Sequence, residues 1–309
     1  MALIGQQLYV LRRRKCEELD VYSTADYSLL RRINIDALNK NGDVSLPTDE
    51  KYWVDMASCP VKRCLYLISE SSTVHRIDLP GKISQCKIAD NLKVYGISVE
   101  QNCNLLVSAY RCGGPYVRSG QDSRCTLVEW NWEASKVIRQ VALTLEIGGA
   151  QPEYFSCHPL QLSSGSVVVY HRSVRGYSSD SHHRVSIVGK RKDGSQECEI
   201  RFYGGSYGGT TVGRLNAPCH MAVDPETESI FVADSGNGRV IVLNRSLLFL
   251  RSITDGMVSY SSRVGLKRIC YDHVTRRLYA GLADEGGGVL KVLKFSKAAA
   301  ADRSSRFRH

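Results

Sequence analysis

Between residues 217 and 253 the sequence carries four short runs of strand-forming residues, and the same four-run unit returns along the rest of the chain. The runs cover residues 217–224, 229–234, 238–243 and 248–253. They are separated by Asp224-Pro225, by Ser235-Gly236-Asn237-Gly238 and by Asn244-Arg245-Ser246, which is turn chemistry between stretches of β-branched and aromatic residues. A second copy occupies 53–57, 64–68, 74–79 and 83–88; a third 95–99, 105–108, 125–130 and 137–141; a fourth 154–157, 167–170, 185–188 and 198–202. The first copy (8–11, 19–22, 29–35) lacks its opening run and the last (268–272, 278–281, 289–293) its closing one.

Six copies at a spacing of roughly 40 to 55 residues predict an all-β fold, a six-bladed β-propeller whose four-stranded antiparallel blades surround a channel. We name the strands of each blade a to d, from the inside outwards. The expected blades span about 1–46, 47–92, 93–147, 148–205, 206–256 and 257–296, one domain in all, followed by a disordered tail over 297–309. Strands a and b are the most continuously apolar, as strands packed on both faces should be, whereas strand d carries Lys and Arg that protect an outer edge. The truncated first and last copies predict closure between the terminal strands, with residues 1–5 as a stub of strand a and residues 1–12 beside 265–295.

Composition fits a packed protein: 43% of residues are hydrophobic. Lys and Arg number 41 against 31 Asp and Glu, a net charge of +10 that favours anionic partners. The 11 cysteines form no Cys-x-x-Cys pair and sit mostly in apolar runs, so buried, reduced thiols and a cytoplasmic location are expected. No run approaches a membrane span, and no basic segment precedes the short apolar start, so neither membrane nor leader is expected.

Over residues 203–250 the repeat becomes specific. Tyr203-Gly204-Gly205, Gly213, Leu215-Asn216-Ala217-Pro218, Ala222-Val223-Asp224, residues 230–235, Asn237 and Arg239-Val240 together resemble an NHL repeat almost position by position. The departure is His220, which stands where that family usually has Gly. The resemblance implies a recognition surface like those of tripartite-motif (TRIM-NHL) and brain-tumour-type proteins. Such domains bind protein or RNA, in some cases as the substrate-recognition part of a ubiquitin ligase.

Asp234 and Arg239 flank the Ser-Gly-Asn-Gly turn and read first as a structural pair that fixes blade geometry, second as a ligand contact. The b–c loops are the better candidates for binding, because they share a face with the d–a connections and carry the longest insertions. That face gathers Arg111, Tyr116, Arg118, Arg124, Arg172, Arg175, Tyr177, His182 and Arg184, joined from the d–a side by Arg214, Tyr260 and Arg263. Cations interleaved with tyrosines suit either a protein partner or a polyanion with stackable bases. No cofactor and no metal are expected: His182 and His183 lie near His171, but adjacent residues of one strand point to opposite faces and no third ligand of matching spacing appears. A metal-dependent enzyme of the propeller lactonase or peptide-amidating lyase kind would need carboxylates or histidines converging on the channel mouth. The inner strands offer Asp55 and Glu153 there, with Asp224 and Asp272 placed in a–b turns instead. The expected function is therefore non-enzymatic recognition by a monomeric domain.

Overall fold

The computed structural model describes residues 1–11, 18–35, 53–69, 73–79, 81–88, 92–111, 125–142, 155–156, 158–173, 183–190, 197–205, 208–254, 265–283 and 288–294. Six antiparallel sheets follow one another in chain order. The first holds β1 (Ala2–Ile4), β2 (Gln7–Leu11), β3 (Glu18–Ser23) and β4 (Leu29–Asn34). The second holds β5 (Trp53–Cys59), β6 (Cys64–Ser69), β7 (Thr73–Asp78) and β8 (Lys82–Lys87). The third holds β9 (Leu92–Val99), β10 (Leu105–Arg111), β11 (Cys125–Asn131) and β12 (Lys136–Ala142). In the fourth, β13 (Phe155–Ser156) and β14 (Pro159–Gln161) both pair with β15 (Val167–Ser173), followed by β16 (His183–Lys190) and β17 (Glu197–Gly205). The fifth holds β18 (Pro218–Val223), β19 (Ile230–Asp234), β20 (Arg239–Leu243) and β21 (Phe249–Ile253). Among the described residues the sixth has three strands: β22 (Gly265–Asp272), β23 (Arg277–Ala283) and β24 (Gly288–Lys294).

The burial gradient within a blade follows the sequence pattern. Every residue of β6 and of β19 is buried, whereas β4 is exposed at all but one of its positions. Tight hairpins join a to b, and aspartates set two of them. Asp224 accepts the Glu226 N–H at 3.1 Å and the Thr227 hydroxyl at 2.7 Å; Asp272 accepts the Val274 N–H at 3.0 Å and the Thr275 hydroxyl at 2.6 Å. Both aspartates thus serve turns, as expected.

Inner strands touch in ring order: β1 on β5, β5 on β9, β9 on β14, β14 on β18, β18 on β22 and β22 back on β1. Each seam between blades has its own apolar cluster. Tyr9, Leu19, Met56 and Leu67 fill the first; Ile68, Ile97, Leu105 and Trp130 the second; Leu106, Leu127, Val167 and Val169 the third. Tyr170, Leu215, Met221 and Val232 fill the fourth, and Phe231, Ala233, Leu266 and Leu278 the fifth. The sixth, Met1, Leu8 and Tyr279, joins the two ends of the chain. Closure therefore brings the terminal strands together through side chains. Among the described residues no ladder crosses that seam, and β1 pairs within its own blade. Arg277 reinforces the seam by donating from Nη1 to the Thr24 carbonyl at 2.6 Å.

One strand differs from expectation. Strand a of the fourth blade, expected over 154–157, has β13 within that run and a second piece, β14, beyond it, with His158 just before β14. Pro159, which cannot donate to a ladder, opens β14 there. The tail 297–309 lies outside the described residues.

Candidate functional site

Four of the inner strands share an irregularity at one place in their pairing with strand b. In β5, β18 and β22 the pairing register slips between Trp53 and Asp55, between Pro218 and His220, and between Leu266 and Arg268; β9 slips at Tyr95, before Gly96. A bulge re-aims the next side chain and releases a backbone carbonyl from the ladder. After the slip come Asp55, His220, Arg268 and Gly96, opposite Ile68, Ala233, Gly281 and Ser108 of their b strands. His158 immediately precedes Pro159, which pairs with Val169, so it holds the same place in the fourth blade.

Four of these residues meet. His158 Nδ1 lies 2.7 Å from Asp55 Oδ2, which also accepts the Ile97 N–H at 3.1 Å. On the other carboxylate oxygen, Arg268 Nε stands at 3.3 Å and His220 Nε2 at 3.7 Å, too far for a hydrogen bond. The two imidazoles lie against each other with ring centroids 4.1 Å apart. Arg268 is further held by the released carbonyls: Nη2 donates to Val54 at 2.6 Å and Nη1 to Lys267 at 3.1 Å. Asp55, His158 and His220 are all buried.

Burial opposes the charge on Asp55, but the neighbouring His158 and Arg268 and the His158 hydrogen bond hold its carboxyl well below the usual carboxylate range. Burial, followed by the adjacent His158, drives the His220 imidazole well below its usual range, so it is neutral at pH 7. Burial also opposes the Arg268 charge, and the facing Asp55 more than compensates. The site is a charged pair flanked by a neutral imidazole and a hydrogen-bonded one. Three of its side chains could ligate a metal, with ligand atoms all within 4.8 Å of one another.

The residues singled out on the b–c loop face fall mostly elsewhere. Tyr116, Arg118, Arg124, Arg175, Tyr177, His182, Tyr260 and Arg263 lie outside the described residues, as does Glu153. Arg111 and Arg172 belong by backbone to β10 and β15, with side chains outside the description, as is the His171 side chain. Arg184 is buried, its guanidinium 5.3 Å from the centre of the Phe202 ring, which makes it a packing residue rather than an exposed contact. Arg214 is exposed, and its carbonyl accepts Arg239 Nη2 at 2.9 Å. His183 Nδ1 accepts the Ala217 N–H at 3.0 Å, a structural use.

Asp234 and Arg239 have the structural role. Asp234, fully buried, accepts the Asn216 N–H at 2.6 Å, Asn237 Nδ2 at 2.7 Å and Arg239 Nε at 2.7 Å.

The fold has solved counterparts. A protein of unknown function from Bacteroides caccae superposes with a TM-score of 0.60 at 10% identity, over 94% of this chain and 90% of that one. The β-propeller domain of Cps50 (Swd1) from Myceliophteria thermophila superposes with a TM-score of 0.52 at 10% identity, over 96% and 98%. No protein-family profile and no curated protein sequence matches the chain. Among the described residues, no helix is long and apolar enough to cross a membrane. What the likeness shows is the fold: an all-β, six-bladed propeller.

Proposed function

We propose that this chain is a non-enzymatic recognition domain of NHL-like type that binds a protein partner on the face bearing the b–c loops. By the same resemblance it would act as a substrate-recognition part of a ubiquitin ligase, as a monomeric propeller in the cytoplasm. One observation carries the reading. The two longest b–c connections, 112–124 and 174–182, leave and re-enter at adjacent residues of neighbouring blades: Tyr110 pairs with Cys125, and Arg172 with His183. In the fifth blade the same connection is only the short turn Ser235–Gly238. Insertions concentrated on two adjacent blades of a rigid ring support a localised docking surface. The net charge of +10 makes RNA the competing occupant of that face.

Salt separates the two. A protein seated on Tyr116 and Tyr177 should survive physiological salt and be lost in a Tyr116→Ala/Tyr177→Ala variant, because buried aromatic anchors are weakly screened. Pull-downs from cell extract with wild type and this variant, beside titrations of labelled single-stranded and stem-loop RNA at two salt concentrations, read both. RNA binding that weakens steeply with salt and vanishes in Arg118→Glu/Arg175→Glu, with protein capture indifferent to the tyrosines, would overturn the protein reading.

A further inference from the structure

We propose that Asp55, His158 and His220 form a binding site for a divalent transition-metal ion of the zinc class, with a fourth position open to water or an anionic ligand. The donor set, two imidazoles and one carboxylate, is one that such ions take when three protein ligands leave a coordination position free.

The three ligands come from three blades. They hold one equivalent place on the inner strand, so the ring itself brings them to one level of the channel. Their ligand atoms, one from each residue, lie within 4.8 Å of one another, a spread that small side-chain rotations can close to the ligand–ligand spacing of about 3.4 Å around a tetrahedral ion. Entry of an ion would replace the His158–Asp55 hydrogen bond, with its proton moved to the other ring nitrogen or released to water.

A second observation points to a missing occupant. Both ring nitrogens of His220 lack a hydrogen-bond partner although only 6% of its side chain is exposed, and Asp55 Oδ1 is likewise buried without a hydrogen bond. Buried imidazoles are rarely left so, because each unpaired polar group forfeits its hydration. A metal ion would take the lone pair of one of these two nitrogens.

Arg268 sets the character of the site. Its charge opposes a cation and offsets the Asp55 carboxylate, so the three ligands and Arg268 together are close to neutral. An ion placed there stays electron-poor and favours a negatively charged fourth ligand, a carboxylate or hydroxide, beside the guanidinium.

The test uses the full chain, treated with chelator and titrated with Zn²⁺ and, separately, Co²⁺. The readouts are calorimetry, metal analysis after dialysis and the visible spectrum of the cobalt form. The expected result is one ion per chain, with cobalt bands of a four-coordinate site and no sulfur-to-cobalt charge-transfer band. His158→Ala and His220→Ala should each weaken binding at least 100-fold, while His273→Ala, at an exposed turn, leaves it unchanged. Because Asp55→Asn strips Arg268 of its partner and threatens folding, His220→Gln serves as the conservative variant, with circular dichroism to confirm the fold. Binding well below one equivalent, thiolate-type cobalt bands, or affinity indifferent to both histidine variants would overturn the proposal and leave the cluster as an internal ion pair.

Discussion

Replacing Glu100 by Gln should stabilise the protein increasingly as pH rises from 4.5 to 7, fully above 7, and leave it unchanged at pH 4.5. Glu100 follows β9 and is buried. Its Oε1 accepts Gln161 Nε2 at 2.9 Å, but Oε2 has no hydrogen-bond partner. The Glu129 carboxylate lies alongside, itself accepting Asn104 Nδ2 at 2.8 Å. Burial first, and the charge on Glu129 second, push the Glu100 carboxyl up from 4.5 to about 7. The folded protein therefore keeps this proton over a range in which the unfolded chain has released it. Below about pH 4.5 both states are protonated and the group contributes no difference. Between 4.5 and 7 stability falls as pH rises, and above 7 the loss is complete. At about 1.4 kcal/mol per pH unit, the full loss is about 3 kcal/mol. Gln matches the protonated carboxyl in shape and cannot ionise. The stability difference between variant and wild type should thus be near zero at pH 4.5 and reach about 2 to 3 kcal/mol in favour of the variant at pH 8. Denaturant unfolding curves of both proteins at several pH values give that difference directly. A difference that does not change with pH, or a variant less stable at pH 8, would refute the reasoning.

Two further substitutions probe the frame. Asp234→Ala should cost about 3 to 5 kcal/mol in denaturant unfolding, since it strands the largely buried Arg239 guanidinium and the Asn216 N–H together; a cost under 1 kcal/mol would mean water replaces the carboxylate. Leu8→Ala at the seam between first and last blades should cost about 2 to 5 kcal/mol. It should also raise hydrogen exchange in β1 and β23 before that in β6, and uniform exchange would show that the seam is not a separate unit.

The strands were legible because blade construction writes itself in short runs of strand-forming residues between turn residues. In the fifth blade the expected runs and the strands β18 to β21 differ by a residue or so at their ends. The fourth blade was harder. Its opening run looked like one strand at 154–157, whereas the pairing of Pro159 with Val169 shows that the inner strand continues past a break. The error hid His158, one place short of the proline. Asp55 and the departure at His220 were visible in the sequence, but only the shared bulge aligns them with Arg268, and register slips leave no residue signature when the bulged residues are Val54, Cys219 and Lys267. Arg184 reads, from its place beside the loop, as a ligand contact; its side chain is buried, with the guanidinium over the Phe202 ring of the neighbouring strand, which the sequence does not show.

The Asp55 carboxylate is in contact with the third, fourth, fifth and sixth blades through Ile97, His158, His220 and Arg268, while sitting on the second. It acts as a keystone. Slippage at a single seam disturbs only the contacts across that seam, but any widening of the whole ring lengthens all four at once. Opening of the channel across these five blades is thereby opposed at one carboxylate by four contacts together.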